Sequence, residues 1–263
     1  MNSSKVSPST NLPIANALAF LLMIVFNYFG SNGFFNGKSI AEVSSEYPTL
    51  FTPASYAFGI WSLIYLLLLG FVIFQLRSFI RKKPMEDAVS QIGWWFVISC
   101  LSNCGWVLSW VYENLLLSVL WMVLLFYSLM KIVLRTGMEL SNPPLKIFAF
   151  VWWPFCIYSG WISIALVPNV AAFLEKIQWN RVGFSEEFWA ITLLVIAGAV
   201  HVFMRWKRNM REFTAAGIWG IAAVAVANWN ALPLISYAAF AVCLLVGVSS
   251  LIHLYQNRKS LPF

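Results

Sequence analysis

The sequence predicts an all-α polytopic bundle of about eight membrane-spanning helices, and three observations carry that expectation. The first is composition: 60% of the 263 residues are hydrophobic and only 10% charged, with a mean hydropathy of +0.76. A soluble domain carries about a quarter of its residues charged. The second is a set of uncharged runs long enough to cross a hydrocarbon layer. The third is the placement of the basic residues, which gather on one side once those runs are counted. No soluble domain is visible between the runs.

Taken in order, residues 1 to 12 are polar, with Lys5 their one basic residue, and Pro13 can open a helix. The run Pro13–Phe29 is kept as the first span, because the FGSNG that follows offers no small-x-small cleavage site and the leader has a single positive charge. A polar segment from Gly30 to Thr52 is long for a link between adjacent helices, and such loops often cover a site. The second span, Pro53–Leu76, has no charge. At about 1.5 Å of rise per residue it reaches roughly 36 Å, against about 30 Å of hydrocarbon. Spans three (Gln91–Tyr112) and four (Leu115–Met130) are separated only by Glu113 and Asn114, which requires an antiparallel hairpin. Span five is read as Ile147–Val167, with an outer loop from Pro168 to Glu187, and span six as Phe188–Met204. From Phe213 to Asn257 no residue is charged. Asn228 to Pro233 breaks that stretch into spans seven and eight, since the residue before a proline is pushed out of the helix. Spans seven and eight loosely echo three and four, which hints at a parallel internal repeat.

Alternating the eight spans puts Lys5, Arg77, Arg81, Lys82, Lys83, Lys131, Arg135, Lys146, Arg205, Lys207, Arg208, Arg211, Arg258 and Lys259 on one side. The other side receives only Lys38, Lys176 and Arg181. Basic residues collect in cytoplasmic loops, so the expectation is a multi-pass cell-membrane protein with both termini cytoplasmic and the 30 to 52 loop outside. The same rule accounts for the net charge of +7 without nucleic acid as a partner. The partners expected are membrane lipids, a small hydrophobic ligand and a second copy of the chain in a homodimer. Cys100, Cys104, Cys156 and Cys243 all fall in apolar runs with no metal or redox spacing, so no metal site is assigned.

Polar and aromatic residues inside the spans mark an inward face. On span three, Ser99, Asn103, Trp106 and Trp110 are spaced to share one side of a helix, and polar groups in hydrocarbon need internal partners. Span five carries Pro154, Tyr158, Ser159, Trp161, Ser163 and Pro168, a composition suited to a kinked helix beside a cavity. Trp94, Trp95, Trp152, Trp153, Trp179, Trp189 and Trp206 lie near predicted ends and read as an interfacial belt. Ala216 with Gly220, and Ala223 with Ala227, are small pairs that allow close helix approach. His201 and His253 sit at similar depth, where a haem iron would find ligands. A hydrogen-bonded interhelical role is the commoner state of such histidines.

Pro53, Phe58, Gly59, Trp61, Tyr65 and Gly70 of span two, Asn103 and Trp106 of span three, and Trp161, Ser163, Ala165 and Asn169 of span five occur in an order that resembles the TspO/MBR family. These are the tryptophan-rich sensory proteins related to the mitochondrial translocator protein. The resemblance covers about residues 13–172. It implies a five-helix core (1–175); the last three spans lie beyond it and read as a C-terminal membrane extension (176–263) packed on that core. It also implies a cavity under the loop between helices one and two that takes planar hydrophobic molecules such as porphyrins, haem among them, or sterols. Carried over by position, Trp61, Tyr65, Asn103, Trp106, Trp161 and Ser163 would line it. Indoles suit that task on their own chemistry, because they stack on flat apolar surfaces and keep one N–H donor. The function expected is therefore a binding or sensory receptor for tetrapyrroles or similar ligands, with a small transporter for a lipophilic or other solute as the alternative. No catalytic residue is assigned and no resident cofactor is certain, because no acid–base pair or nucleophile relay is visible.

Overall fold

The computed structural model describes residues 11–257. Lys5, Arg258 and Lys259 of the basic tally, and both chain ends, lie outside the described residues. The elements are α1 (Leu12–Ser31), α2 (Ile40–Glu46), a 3₁₀ turn (Ser55–Gly59) leading into α3 (Ile60–Ile80), α4 (Asp87–Ile92), α5 (Trp95–Val111), α6 (Leu115–Arg135) and α7 (Leu145–Ile147). A π-helical turn (Phe148–Trp152) then runs into α8 (Trp153–Lys176), followed by α9 (Glu186–Arg208), α10 (Arg211–Asn228) and α11 (Pro233–Gln256). Six segments, Leu12–Ser31, Ser55–Ile80, Leu115–Arg135, Leu145–Lys176, Glu186–Arg208 and Pro233–Gln256, are long and apolar enough to cross a membrane by length and composition. With α5 and α10 they make eight long helices among the described residues, the number that the uncharged runs predict.

The boundaries differ from the sequence reading in two instructive places. Span three does not run unbroken from Gln91, because Gly93 adopts a φ of +56° that only glycine takes without strain, which detaches α4 from α5. Span five does not stop at Val167, because α8 continues through Pro168 to Lys176. Proline within a helix removes one hydrogen bond, and a packed membrane helix tolerates that loss when its neighbours hold it.

The chain folds as two adjoining packed clusters. The larger joins α1, α3, α5, α6 and α8 around Met23, Leu68, Phe71, Phe96, Leu125, Phe155 and Trp161. The second joins α9, α10 and α11 around Leu194, Ile221, Val224, Ala239 and Val246, and takes in Ile164 of α8 and Phe51 of the first loop. Helix α8 is therefore common to both. It approaches α10 closely because Gly160 has no side chain: a Cβ there would stand 2.5 Å from the Phe213 carbonyl oxygen and 2.8 Å from its Cα. Gly220 of α10 returns the fit against Ile164 of α8. Of the small residues expected to face a partner, Ala216, Gly220 and Ala223 are buried, but Ala227 is exposed near the end of α10. Trp152 also leaves the interfacial belt. The π-helical turn brings it into the bundle, edge-on to Phe148 at 4.6 Å, whereas Trp94, Trp153 and Trp206 stay exposed.

Placing a methyl group at the α8–α10 contact forces backbone apart, so Gly160→Ala is expected to destabilise the protein by about 1–3 kcal/mol. Gly247→Ala on α11, where nothing lies within 4 Å of the added Cβ, is expected to be neutral or to stabilise by up to about 1 kcal/mol. Thermal unfolding of the two variants in detergent measures the contrast.

Candidate functional site

Helices α3, α5 and α8 bring five of the six sequence-selected residues together. The Trp61 ring lies in the middle. It stacks on Tyr65 one turn later at 5.5 Å, faces Trp106 of α5 at 6.4 Å and 22°, and meets Tyr158 and Trp161 of α8 edge-on at 5.7 and 6.4 Å. Phe58, from the 3₁₀ turn, closes on Trp161 edge-on at 6.1 Å, and Trp110 extends the stack beyond Trp106 at 6.1 Å. Phe58 is 40% exposed and Trp61 partly so, while Trp161 is 1% exposed. The cluster thus runs from the bundle surface to its centre.

Hydrogen bonds fix the depth and rotation of these rings. Asn27 of α1 donates to Asn103 Oδ1 at 2.6 Å, and Asn103 Nδ2 donates to the Tyr158 hydroxyl at 3.2 Å. Trp106 Nε1 donates to Asn169 Oδ1 at 2.8 Å, and Asn169 Nδ2 donates to Ser118 Oγ of α6 at 2.8 Å. Trp161 Nε1, by contrast, has no hydrogen-bond partner. Ser163 stands apart from the cluster. Two residues beyond Trp161, it points to the opposite side of α8, donates to the Gly160 carbonyl at 2.7 Å, and lies 3.3 Å from His201 Nε2 of α9. There it lines a separate small void of about 80 Å³ between α8 and α9.

His201 is buried against Phe213 and Gly217, and His253 meets Trp206 edge-on, so the two histidines have different neighbours. A larger cavity of about 330 Å³ lies between residues 49–51, the C-terminal half of α8, and α9, and shares no lining residue with the aromatic cluster. Its walls include Leu166, Val170, Leu174 and Leu193, and its rim carries Arg181 paired to Glu175 at 2.9 Å. The sequence reading missed it because half of that wall belongs to the stretch of α8 beyond Pro168.

The segment between α1 and α3 covers the same end of the bundle. Its short helix α2 starts with a capping box, in which Glu42 N donates to Ser39 Oγ and Ser39 N donates to the Glu42 carboxylate. Trp110 Nε1 donates to the Ile40 carbonyl at 3.1 Å. Lys38 donates to Glu46 and Glu113 at 2.8 and 2.7 Å, and the Tyr47 hydroxyl donates to Glu113 at 2.8 Å.

A model of the family described as TSPO-like protein matches residues 13–252. The chain belongs to the TSPO-like protein family. The match runs past the 13–172 stretch on which the resemblance rests and takes in α9, α10 and most of α11, so the TSPO-like pattern extends over the C-terminal helices too. No curated protein and no solved structure matches the chain. The TSPO-like chain is a membrane protein with several apolar spans.

The clasp over this end of the bundle responds to pH through Glu113 and Lys38, and also through Glu42, held below its ordinary value by hydrogen bonds from the Ser39 backbone and side chain, and Tyr47, raised above its own by burial and its bond to Glu113. Hydrogen bonds from Lys38 and then from Tyr47 hold the Glu113 carboxyl below its ordinary value of 4.5. Hydrogen bonds to Glu113 and then Glu46 raise the Lys38 amine above its ordinary 10.5. The contribution of Glu113 is complete above 4.5 and is lost as pH falls through its lowered value. That of Lys38 is complete below 10.5 and is lost as pH rises through its raised value. Amide hydrogen exchange in residues 32–52 is therefore expected to accelerate, beyond its intrinsic pH trend, only outside that window. Glu113→Gln is expected to raise it at neutral pH.

Proposed function

We propose that this TSPO-like protein is a binding or sensory membrane protein for planar hydrophobic ligands of the porphyrin or sterol kind, held among Trp61, Tyr65, Trp106 and Trp161, with Asn103 fixing the floor. Ser163 is left out of that set because it faces α9. The observation that carries the reading is the indole N–H of Trp161, buried without an acceptor at the centre of an aromatic cluster that reaches the surface. A buried donor left unmade costs about 1–3 kcal/mol, and a flat ligand with one polar edge would meet both the rings and that donor. Entry would be lateral, past the exposed Phe58 and the partly exposed Trp61, because the 30 to 52 segment is hydrogen-bonded down over the end of the bundle. The basic end carrying Arg77, Lys146 and Arg208 would face the cytoplasm, by the charge asymmetry of the loops.

Quenching of tryptophan fluorescence by protoporphyrin in detergent-solubilised protein tests the site. Trp61→Ala and Trp161→Ala are each expected to weaken binding by about 1–3 kcal/mol if stacking dominates, and Trp153→Ala, on the exposed face, to leave it unchanged. Equal losses in all three variants would remove the assignment. Counterflow of protoporphyrin in liposomes would replace the sensory reading with transport.

A further inference from the structure

At the opposite end of the bundle from the loop clasp, three segments distant in sequence bring together groups that the aromatic cluster does not use. Glu139 stands in the turn after α6, Cys156 in the first turn of α8, and Glu212 in the first turn of α10. One carboxyl oxygen of each glutamate and the Cys156 Sγ all lie within 4.8 Å of one another. The Glu139 side chain is 2% exposed, and its Oε1 has no hydrogen-bond partner. Glu212 Oε2 has none either, and Cys156 is fully buried.

Three arginines lie near this trio; none hydrogen-bonds to it, and the Nε donors of Arg205, Arg208 and Arg211 have no acceptor. Arg205 donates to the Asn209 carbonyl and side chain and to the Ser250 carbonyl. Arg208 donates to the carbonyls of Val133 and Met138. Arg211 comes no nearer to Glu139 Oε2 than 3.9 Å, beyond hydrogen-bond reach. Two carboxyl groups thus stand near each other and a thiol, each with one buried oxygen that no donor reaches. A buried acid in that state either keeps its proton or takes a cation, and three donor atoms this close together offer a cation a shared place.

We propose that Glu139, Cys156 and Glu212 form a binding site for a thiophilic divalent transition metal of the zinc type. Metal bonds of about 2.0–2.3 Å in tetrahedral geometry put ligand atoms some 3.3–3.8 Å apart, so the trio needs to close by no more than about 1.5 Å. The sulfur selects against calcium and magnesium, which take oxygen ligands. Binding displaces the thiol proton to solvent, leaves thiolate on the metal, and keeps a fourth position for water or another donor. The ion ties the loop after α6 and the first turn of α10 to α8, which links the C-terminal helices to the rest of the bundle. Cysteine spacing could not reveal it, because the ligands are contributed one by one from three segments.

Full-length protein in detergent, stripped with chelator and titrated with Cd²⁺, tests the site. The expected result is one Cd²⁺ per chain with a thiolate-to-metal absorption band in the ultraviolet, displaced by Zn²⁺ and not by Mg²⁺. Cys156→Ser is expected to abolish the band and Cys243→Ser to keep it. Glu212→Gln, on the less buried glutamate, is expected to lower Cd²⁺ affinity at least tenfold while the circular dichroism spectrum stays helical. Absence of stoichiometric Cd²⁺ from the unmutated protein overturns the proposal, whether or not Cys156→Ser folds. So does a band that survives Cys156→Ser.

Discussion

The requirement that polar groups inside a hydrocarbon layer find partners within the protein sets the rotation of the helices here, and the rest of the structure follows from it. Two side-chain relays meet that requirement in the larger cluster. One passes from Asn27 through Asn103 to Tyr158, linking α1, α5 and α8. The other passes from Trp106 through Asn169 to Ser118, linking α5, α8 and α6. Asn16 of α1 adds a bond to Gln75 of α3. In lipid these bonds have no water competing for either partner, so turning α5 by one residue would strand several buried amides at once. That penalty, more than any preference of the rings for each other, points Trp106 at Trp61 and leaves Trp110 stacked on Trp106. The aromatic cluster is thus a consequence of asparagine placement.

Helix α8 carries a second constraint, because it must present different faces to two clusters. Trp161 and Tyr158 serve the aromatic side. Gly160 and Ile164 serve α10, and Ser163 serves α9. A helix with 3.6 residues per turn can do this only where consecutive residues differ sharply in size. Gly160 beside Trp161 is that contrast: the absent side chain lets the Phe213 backbone in, and the large one fills the side about 100° away. The same trade recurs on α10, where Gly217 lies under the His201 ring. Close approach without a hydrophobic drive between helices relies on such small residues.

Much of this was legible in the sequence because lipid imposes simple rules. Uncharged length gave the eight long helices, and the spacing of Ser99, Asn103, Trp106 and Trp110 gave the inward side of α5, all four being buried. What was not legible depends on local backbone events. Gly93 ends α4 through a positive φ that composition does not announce, and a π-helical turn before Pro154 carries Trp152 out of the belt and into the bundle. The continuation of α8 past Pro168 hid the 330 Å³ cavity, since a proline in a sequence reads as an end and in a packed bundle need not be one. Ser163 was grouped with Trp161 by motif, although two positions along a helix amount to about 200° of rotation.

The covering segment bears on how the aromatic cluster is reached. On one side it is held to the α5–α6 hairpin by Lys38, Tyr47 and Glu113, by Asn36 donating to the Val111 carbonyl, and by Tyr112 donating to the Phe35 carbonyl. On the other side Asn228 of α10 donates to the Leu50 carbonyl, Leu50 N donates to Glu186 of α9, and Ala54 N donates to the Ala223 carbonyl. A lid that opened like a flap would break one of these two sets whole, and the set toward α9 and α10 is made largely through backbone groups. Phe58 and Trp61, in contrast, line the flank of the bundle, and only side-chain rotation separates them from the surrounding lipid. A flat lipophilic molecule is already concentrated in that lipid by its own partition, so a lateral opening requires no desolvation step and leaves the clasp intact. On the proposal of a planar lipophilic ligand, these hydrogen bonds favour filling from the membrane over filling from water.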